Sequence, residues 1–92
     1  MRISKDSLCG EIAGHPAAVC AVFAENTVYF RTESLVCHYE KGVLEIAGKG
    51  AILALHPDSV LCIDKMICAD GIQTEYEITT VQGGIVTVDL FK

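Results

Sequence analysis

Short runs of apolar residues, broken every 6 to 10 residues by turn-forming residues, dominate the chain. Lys41-Gly42 and Asp70-Gly71 supply residues that tolerate positive φ, as tight hairpins require, and His56-Pro57-Asp58-Ser59 suits a type I turn. This spacing is typical of an all-β domain. The pattern predicts strands near residues 7–12, 27–31, 34–40, 43–47, 51–55, 59–63, 65–69, 72–79 and 85–91.

Two of these segments alternate between apolar and polar residues. Ile72, Thr74, Tyr76 and Ile78 share one face of the strand at 72–79, while its other face is polar. The segment at 85–91 repeats the pattern, with apolar residues at alternate positions from 86 to 90. We therefore expect each strand to turn one face to the core and the other to water.

The middle segments are apolar on both faces, most clearly at 51–55 and 60–63. Such strands are normally covered on both sides, either within a two-layer or closed architecture or at a subunit interface. We predict a single β-rich domain over residues 1–92, folded as a small two-layer sandwich or closed barrel of short antiparallel strands. The pattern also predicts a homo-oligomer, and the candidate interface residues are Leu53, Leu55, Leu61 and Ile63.

Residues 16–25 fit two interpretations. Pro16 suits the first position of a helix, and Val19, Val22 and Phe23 have helical spacing, which would make the domain α+β with one short helix. As a strand, Val19, Ala21 and Phe23 would share one face, and the chain would turn at 25–26. We favour the strand and keep the helix as the alternative.

Composition and charge exclude several classes of protein. Apolar residues make up 51% of the 92 residues and charged residues 21%, which argues for a folded domain and against disorder. The net charge is −5, and the seven basic residues are scattered singly, whereas nucleic-acid binding needs clustered Lys and Arg. We expect no nucleic-acid partner.

The five cysteines are an odd number without a CxxC pair, so we expect reduced and buried thiols rather than a disulfide framework. The longest purely apolar run, at 17–24, has eight residues and is too short to cross a bilayer. Together these features predict a cytoplasmic protein that does not insert in membranes.

No motif carries recognisable chemistry. The cysteines and the three histidines lack the spacing of zinc knuckles, with Cys62 and Cys68 as the nearest cysteine pair. Any cysteine could meet any histidine in a Cys/His-dependent enzyme, so the sequence favours no pair. Glu75 and Glu77 share a strand face but carry no sign of burial. We expect no catalytic residue, no cofactor and no metal ligand.

Two stretches of the chain resemble the YabP/YqfC-type sporulation proteins, small cytosolic β-rich proteins of spore-forming bacteria. The first begins at Ile12-Ala13-Gly14 and continues with apolar positions to Thr32, like that family's opening pair of strands. The second is Gly42-Val43-Leu44-Glu45-Ile46-Ala47-Gly48, which looks like its G-x-L-x-I-x-G hairpin arm. Residues 33–41 would be an insertion, and the strands from 72 to 91 have no counterpart. The resemblance implies a non-catalytic role in assembling or localising a larger structure and brings no catalytic residues.

These observations predict a non-enzymatic binding or assembly module that acts through self-association or protein–protein contacts, in a sporulation-related process if the resemblance holds. A second interpretation is a small inhibitor that blocks another protein with an acidic β-surface, because acidic residues dominate the chain after Lys65. A small Cys/His-dependent enzyme is the third.

Overall fold

The computed structural model describes residues 1–48, 50–56, 59–69, 71, 73–81 and 83–91. Within these ranges the chain forms one short helix followed by eight strands. They are α1 (Lys5–Ile12), β1 (Ala17–Val22), β2 (Thr27–Thr32), β3 (Val36–Glu40), β4 (Val43–Gly48), β5 (Ala51–Leu55), β6 (Val60–Ile67), β7 (Thr74–Thr80) and β8 (Ile85–Leu90).

The strands form two antiparallel sheets. The large sheet has the order β2-β1-β8-β7-β6, and the small sheet has the order β3-β4-β5. The mostly β fold and its two sheets confirm the sandwich prediction, whereas the closed-barrel alternative is wrong because the described strands leave both sheets open. Strand β8 lies between β1 and β7, so the large sheet depends on contacts between distant parts of the chain.

One continuous core joins the two sheets and the helix. Side chains alternate along the strands, as a pleated backbone requires, and the buried positions are 76, 78 and 80 in β7 and 86 and 88 in β8. The small sheet contributes alternate residues of β4 and β5. The largest fully buried side chains are Leu8, Ile12, Val19, Leu35, Leu44, Ile46, Ile63, Tyr76, Ile78, Val86 and Val88.

The strand predicted at 7–12 is wrong, since these residues belong to α1. The Ser4 side chain caps the helix by accepting a hydrogen bond from the Ser7 backbone N–H at 3.1 Å. Leu8 and Ile12 stand four residues apart, on one helix face, and both are fully buried. Tertiary packing of this face stabilises a helix that would be too short to form by itself in water.

The strand interpretation of residues 16–25 is confirmed at β1, and the helix alternative is wrong. The two strands predicted at 59–63 and 65–69 are one strand, β6, because Asp64 and Lys65 continue the pairing with β7 instead of forming a turn. The hairpin at Lys41-Gly42 is confirmed, with φ values of 53° and 78° that suit a type I′ turn. The other predicted turns, and the start of the strand at 72–79, include residues that lie outside the described ranges: Pro57, Asp58, Asp70 and Ile72.

Candidate functional site

The four candidate interface residues occupy two different environments. Leu53 and Leu55 point inward from β5, and Ile63 points inward from β6, so all three belong to the core of the domain itself. Leu61 lies on the outside of β6, next to an irregularity in its pairing with β7, and its side chain is 63% exposed. Any contact with another molecule would therefore involve the exposed apolar side chains on the outer faces of these strands.

The outer face of the small sheet carries an apolar row. The strand register places Val36 of β3 beside Ala47 of β4, and Ala47 beside Ile52 of β5. Val36 is 49% exposed and Ile52 is 71% exposed. In the next row Ala54 is exposed beside Glu45, whose carboxylate lies 3.4 Å from His38 Nε2. We call Val36, Ala47, Ile52 and Ala54 the apolar patch.

The apolar patch runs to a free sheet edge at β5. Within the described part of the chain, the one strand paired with β5 is β4, so the opposite backbone edge of β5 faces outward. The strand consists of Ala51-Ile52-Leu53-Ala54-Leu55 and contains neither a charge nor a proline. Charged residues, proline and covering segments are the usual means by which a sheet edge is protected from pairing with another chain. Strand β5 has neither a charged residue nor a proline, and no segment among the described residues covers its free edge.

The other three edges differ from β5. Residues 1–3 cover part of β6, since the Ile3 N–H donates to the Ile63 carbonyl at 3.0 Å and Arg2 bonds to Asp64. Strand β3 carries His38 and Glu40, and β2 carries Arg31. The combination of a free backbone edge, uncharged residues and exposed apolar side chains therefore distinguishes β5 within the described residues.

The outer face of the large sheet is acidic. Glu75 lies opposite Asp89, and Glu77 lies opposite Asp64, so these carboxylates share one surface. Partial burial raises the pKa of Glu75, and the neighbouring charges of Asp89 and Glu77 raise it further. Partial burial also raises the pKa of Asp89. The surface therefore carries several carboxylates close together, of which Asp64 is paired with Arg2.

A polar cluster joins α1 to the large sheet. The Glu11 carboxylate accepts hydrogen bonds from Lys65 Nζ and from the Tyr76 hydroxyl, the latter at 3.1 Å. The bond from Lys65 is the main cause of the lowered pKa of Glu11, while burial and the bond to Glu11 raise the pKa of Tyr76 to about 12. The cluster satisfies the hydroxyl of a buried tyrosine and positions α1. Sequence reasoning missed it, because its members are 54 and 65 residues apart.

The thiols do not form a Cys–His site in the described hydrogen bonds. The Cys37 thiol donates to Cys9 Sγ, and the Cys62 thiol donates to an Asp64 oxygen. Cys37 is buried, but the other four cysteines are partly exposed, so the prediction of generally buried cysteines is wrong. Among the described residues no group of three or more His, Cys, Asp or Glu side chains is arranged to hold a metal ion. The described helix is also too short to cross a membrane.

A cleft of about 710 Å³ opens at one end of the large sheet. The Arg31 guanidinium lies 4.7 Å from the centre of the Phe91 ring, and neither a cysteine nor a histidine is among the described lining residues. The cleft therefore offers no nucleophile–base pair of the kind a Cys/His-dependent enzyme needs. Its lining consists of Pro16, Arg31, Thr32, Glu33, Ser34 and Phe91.

Comparison with known proteins shows the fold and no family. No family model matches the chain, and no curated protein matches it significantly. The crystal structure of ChuX is similar, with a TM-score of 0.66 at 11% sequence identity over 97% of this chain. The chain spans 61% of the length of that structure. At this identity the likeness concerns the fold alone, and the resemblance to the YabP/YqfC-type family stays a prediction.

Proposed function

We propose that the protein is a non-enzymatic, cytoplasmic assembly module that self-associates by pairing β5 of one copy with β5 of a second. The observation that carries this proposal is the free, uncharged edge of β5 beside the exposed side chains of Ile52 and Ala54. Antiparallel pairing would join the small sheets of two copies into one sheet of six strands, three from each. Such a contact is symmetric and closes on itself, as in most dimers.

Two physical contributions favour this pairing. Each unpaired backbone group of β5 that finds a partner in the second copy gains a hydrogen bond worth about 0.5–1.5 kcal/mol net. A pairing centred on Leu53 also places Ile52 of each copy beside Ala54 of the other, and covers part of the apolar patch. Full burial of an isoleucine side chain contributes about 1.5–3 kcal/mol. These gains oppose the loss of translational and rotational freedom on association.

The resemblance to the YabP/YqfC-type proteins supports the same class of role, since it implies assembly or localisation of a larger structure. It also suggests the biological setting, a sporulation-related process. The β5 proposal does not depend on this setting, because it rests on the edge and the apolar patch alone.

The experiment is a measurement of molar mass in solution by light scattering or sedimentation. The chain has a mass of 9.9 kDa, so the untagged protein should give about twice this value at micromolar concentration. Ile52→Lys should give the mass of one chain with an unchanged circular dichroism spectrum, because the exposed lysine introduces a charge at the pairing edge. Tyr29→Lys is the matched control, since Tyr29 is 61% exposed on the β2 edge strand, and it should remain dimeric. A monomeric wild type, or an Ile52→Lys variant that remains dimeric, would contradict the proposal.

The acidic outer face of the large sheet supports a second candidate, a module that binds and blocks a basic partner protein. The observation in its favour is the alignment of Glu75, Glu77 and Asp89 on neighbouring strands, which gives this surface a local excess of negative charge. A lysine-rich peptide should then shift the amide resonances of β7 and β8, and Glu75→Lys should weaken this binding without changing the molar mass. Shifts spread evenly over the domain would argue against a specific surface.

A further inference from the structure

Two cysteine thiols from different elements lie in direct contact. Cys9 on α1 and Cys37 on β3 have their sulfur atoms 3.1 Å apart, although 28 residues separate them in the chain. Cys37 is only 8% exposed, whereas Cys9 is partly exposed. Burial raises the pKa of the Cys37 thiol, and the hydrogen bond to Cys9 raises it further. The two sulfur atoms are thus in contact, but the Cys9 side chain is more exposed to solvent than that of Cys37.

The other cysteines offer no comparable contact in the described structure. Cys20 lies in the register of Tyr29 and Thr87, on the outer face of the large sheet. Cys62 lies opposite Thr79, and its thiol points to Asp64 at 3.9 Å. Cys68 follows β6, where its backbone N–H donates to the Gln73 carbonyl. A thiol–thiol contact is seen at Cys9 and Cys37 alone among the described residues.

We propose that Cys9 and Cys37 are a site of oxidative modification, which a small hydroperoxide converts into an intramolecular disulfide. The more exposed Cys9 reacts first: its thiol loses a proton, the sulfur attacks hydrogen peroxide, and the O–O bond breaks to give Cys9 sulfenic acid and hydroxide. The hydroxide takes up the proton from the Cys9 thiol and leaves as one water. The Cys37 sulfur then attacks the sulfenic sulfur, the S–O bond breaks, and the Cys37 proton leaves with the hydroxide as a second water. The two thiols lose two electrons and two hydrogen atoms, and one peroxide is reduced.

The contact favours this chemistry over competing reactions. A disulfide bond is about 2.05 Å long, so the two sulfur atoms need to approach each other by only about 1 Å. The Cys37 thiol already lies beside the Cys9 sulfur. Disulfide formation can therefore compete with further oxidation of the sulfenic acid to sulfinic acid. The product ties α1 covalently to β3, and thiol reductants reverse it. The modification involves neither β5 nor the apolar patch, so it goes beyond the proposed function.

The test is mass spectrometry of the folded, reduced protein after stoichiometric hydrogen peroxide. The chain should lose two hydrogen atoms and recover them with a thiol reductant. Digestion after glutamate places Cys9, Cys20 and Cys37 in three separate peptides, which span residues 1–11, 12–25 and 34–40. The first and third peptides, which carry Cys9 and Cys37, should be joined. Ile52→Lys should give the same cross-link, which keeps this outcome separate from that of the assembly proposal.

Three variants complete the test. Cys9→Ser, a change at a partly exposed position, should abolish the cross-link, and Cys20→Ser should leave it unchanged. Cys37→Ser should leave a Cys9 sulfenic acid that dimedone traps. A cross-link between other cysteines, a cross-link between chains, or no loss of two hydrogen atoms from the wild type would overturn the proposal.

Discussion

The aromatic ring of Phe30 lies directly against Gly48, at the point where β2 of the large sheet meets β4 of the small sheet. A Cβ atom added at Gly48 would overlap the ring and would lie 3.1 Å from Thr32 Cβ. Phe30 is buried, so its ring cannot turn aside without disturbing the core. Gly48→Ala should therefore reduce the free energy of unfolding by about 1–3 kcal/mol, measured by urea denaturation.

Gly10 is the matched control for this substitution. It lies inside α1 on an exposed surface, and an added Cβ would meet no described atom within 4 Å. Gly10→Ala should increase the free energy of unfolding by about 0.5–1 kcal/mol, because alanine restricts the unfolded chain and favours the helix. Equal effects at the two positions would contradict the close approach of the sheets.

The Glu11 cluster predicts a pH-dependent loss of stability. Glu11→Gln keeps an acceptor for Lys65 and Tyr76 but removes the negative charge, which should reduce the free energy of unfolding by about 1–2 kcal/mol at neutral pH. The folded-state pKa of Glu11 is lowered from 4.5, so the contribution of its charge is present above pH 4.5 and is lost as the pH falls below it. Urea denaturation on both sides of pH 4.5 should show the two proteins converging in acid. Glu25→Gln, in an exposed turn, should behave like the wild type.

Leu53 and Leu61 should respond differently to the same change. Leu53→Glu places a charge in the core without a partner and should reduce the free energy of unfolding by more than about 4 kcal/mol. This loss is a large part of the total stability of a small domain. Leu61→Glu changes an exposed side chain and should alter stability by no more than about 0.5 kcal/mol. Under the β5 proposal it should also leave the molar mass unchanged. A monomeric Leu61→Glu variant would indicate that the interface lies on β6 and not on β5.

Two strands were predicted well on different grounds. Residues 85–91 alternate cleanly and form β8, whereas residues 51–55, an apolar run bounded by turn-forming residues, coincide with β5. The helix at 5–12 was missed because Gly10 weakens helical propensity and because Leu8 and Ile12 are its only buried residues. Ser4 is a suitable capping residue in the sequence, but a cap alone does not predict a helix. The helix also requires burial of Leu8 and Ile12 in the core, which the structure shows.

The sequence could not reveal the contacts that join distant residues. An apolar residue at position 52 or 53 looks the same in the sequence, yet Ile52 is exposed and Leu53 is buried, because the register with β4 decides which face each occupies. The contact between Cys9 and Cys37 likewise depends on how α1 crosses to β3. Periodicity describes a single element, whereas these relationships arise from the packing of several.

The position of β8 has a consequence for the order in which the chain folds. Strands β1 and β2 form one hairpin and β6 and β7 another, and among the described strands it is β8 that pairs with both, with β1 on one side and with β7 on the other. During synthesis, a chain that has not yet extended past residue 84 can form both hairpins but cannot join them into one sheet. The closing step brings together residues 17–22 and 85–90, so a large loop must close before the core is complete, and folding should be slow for a domain of this size. Until then the inward faces of β1 and β7 stay open to water, and the nascent chain depends on the arrival of its eighth strand to bury them.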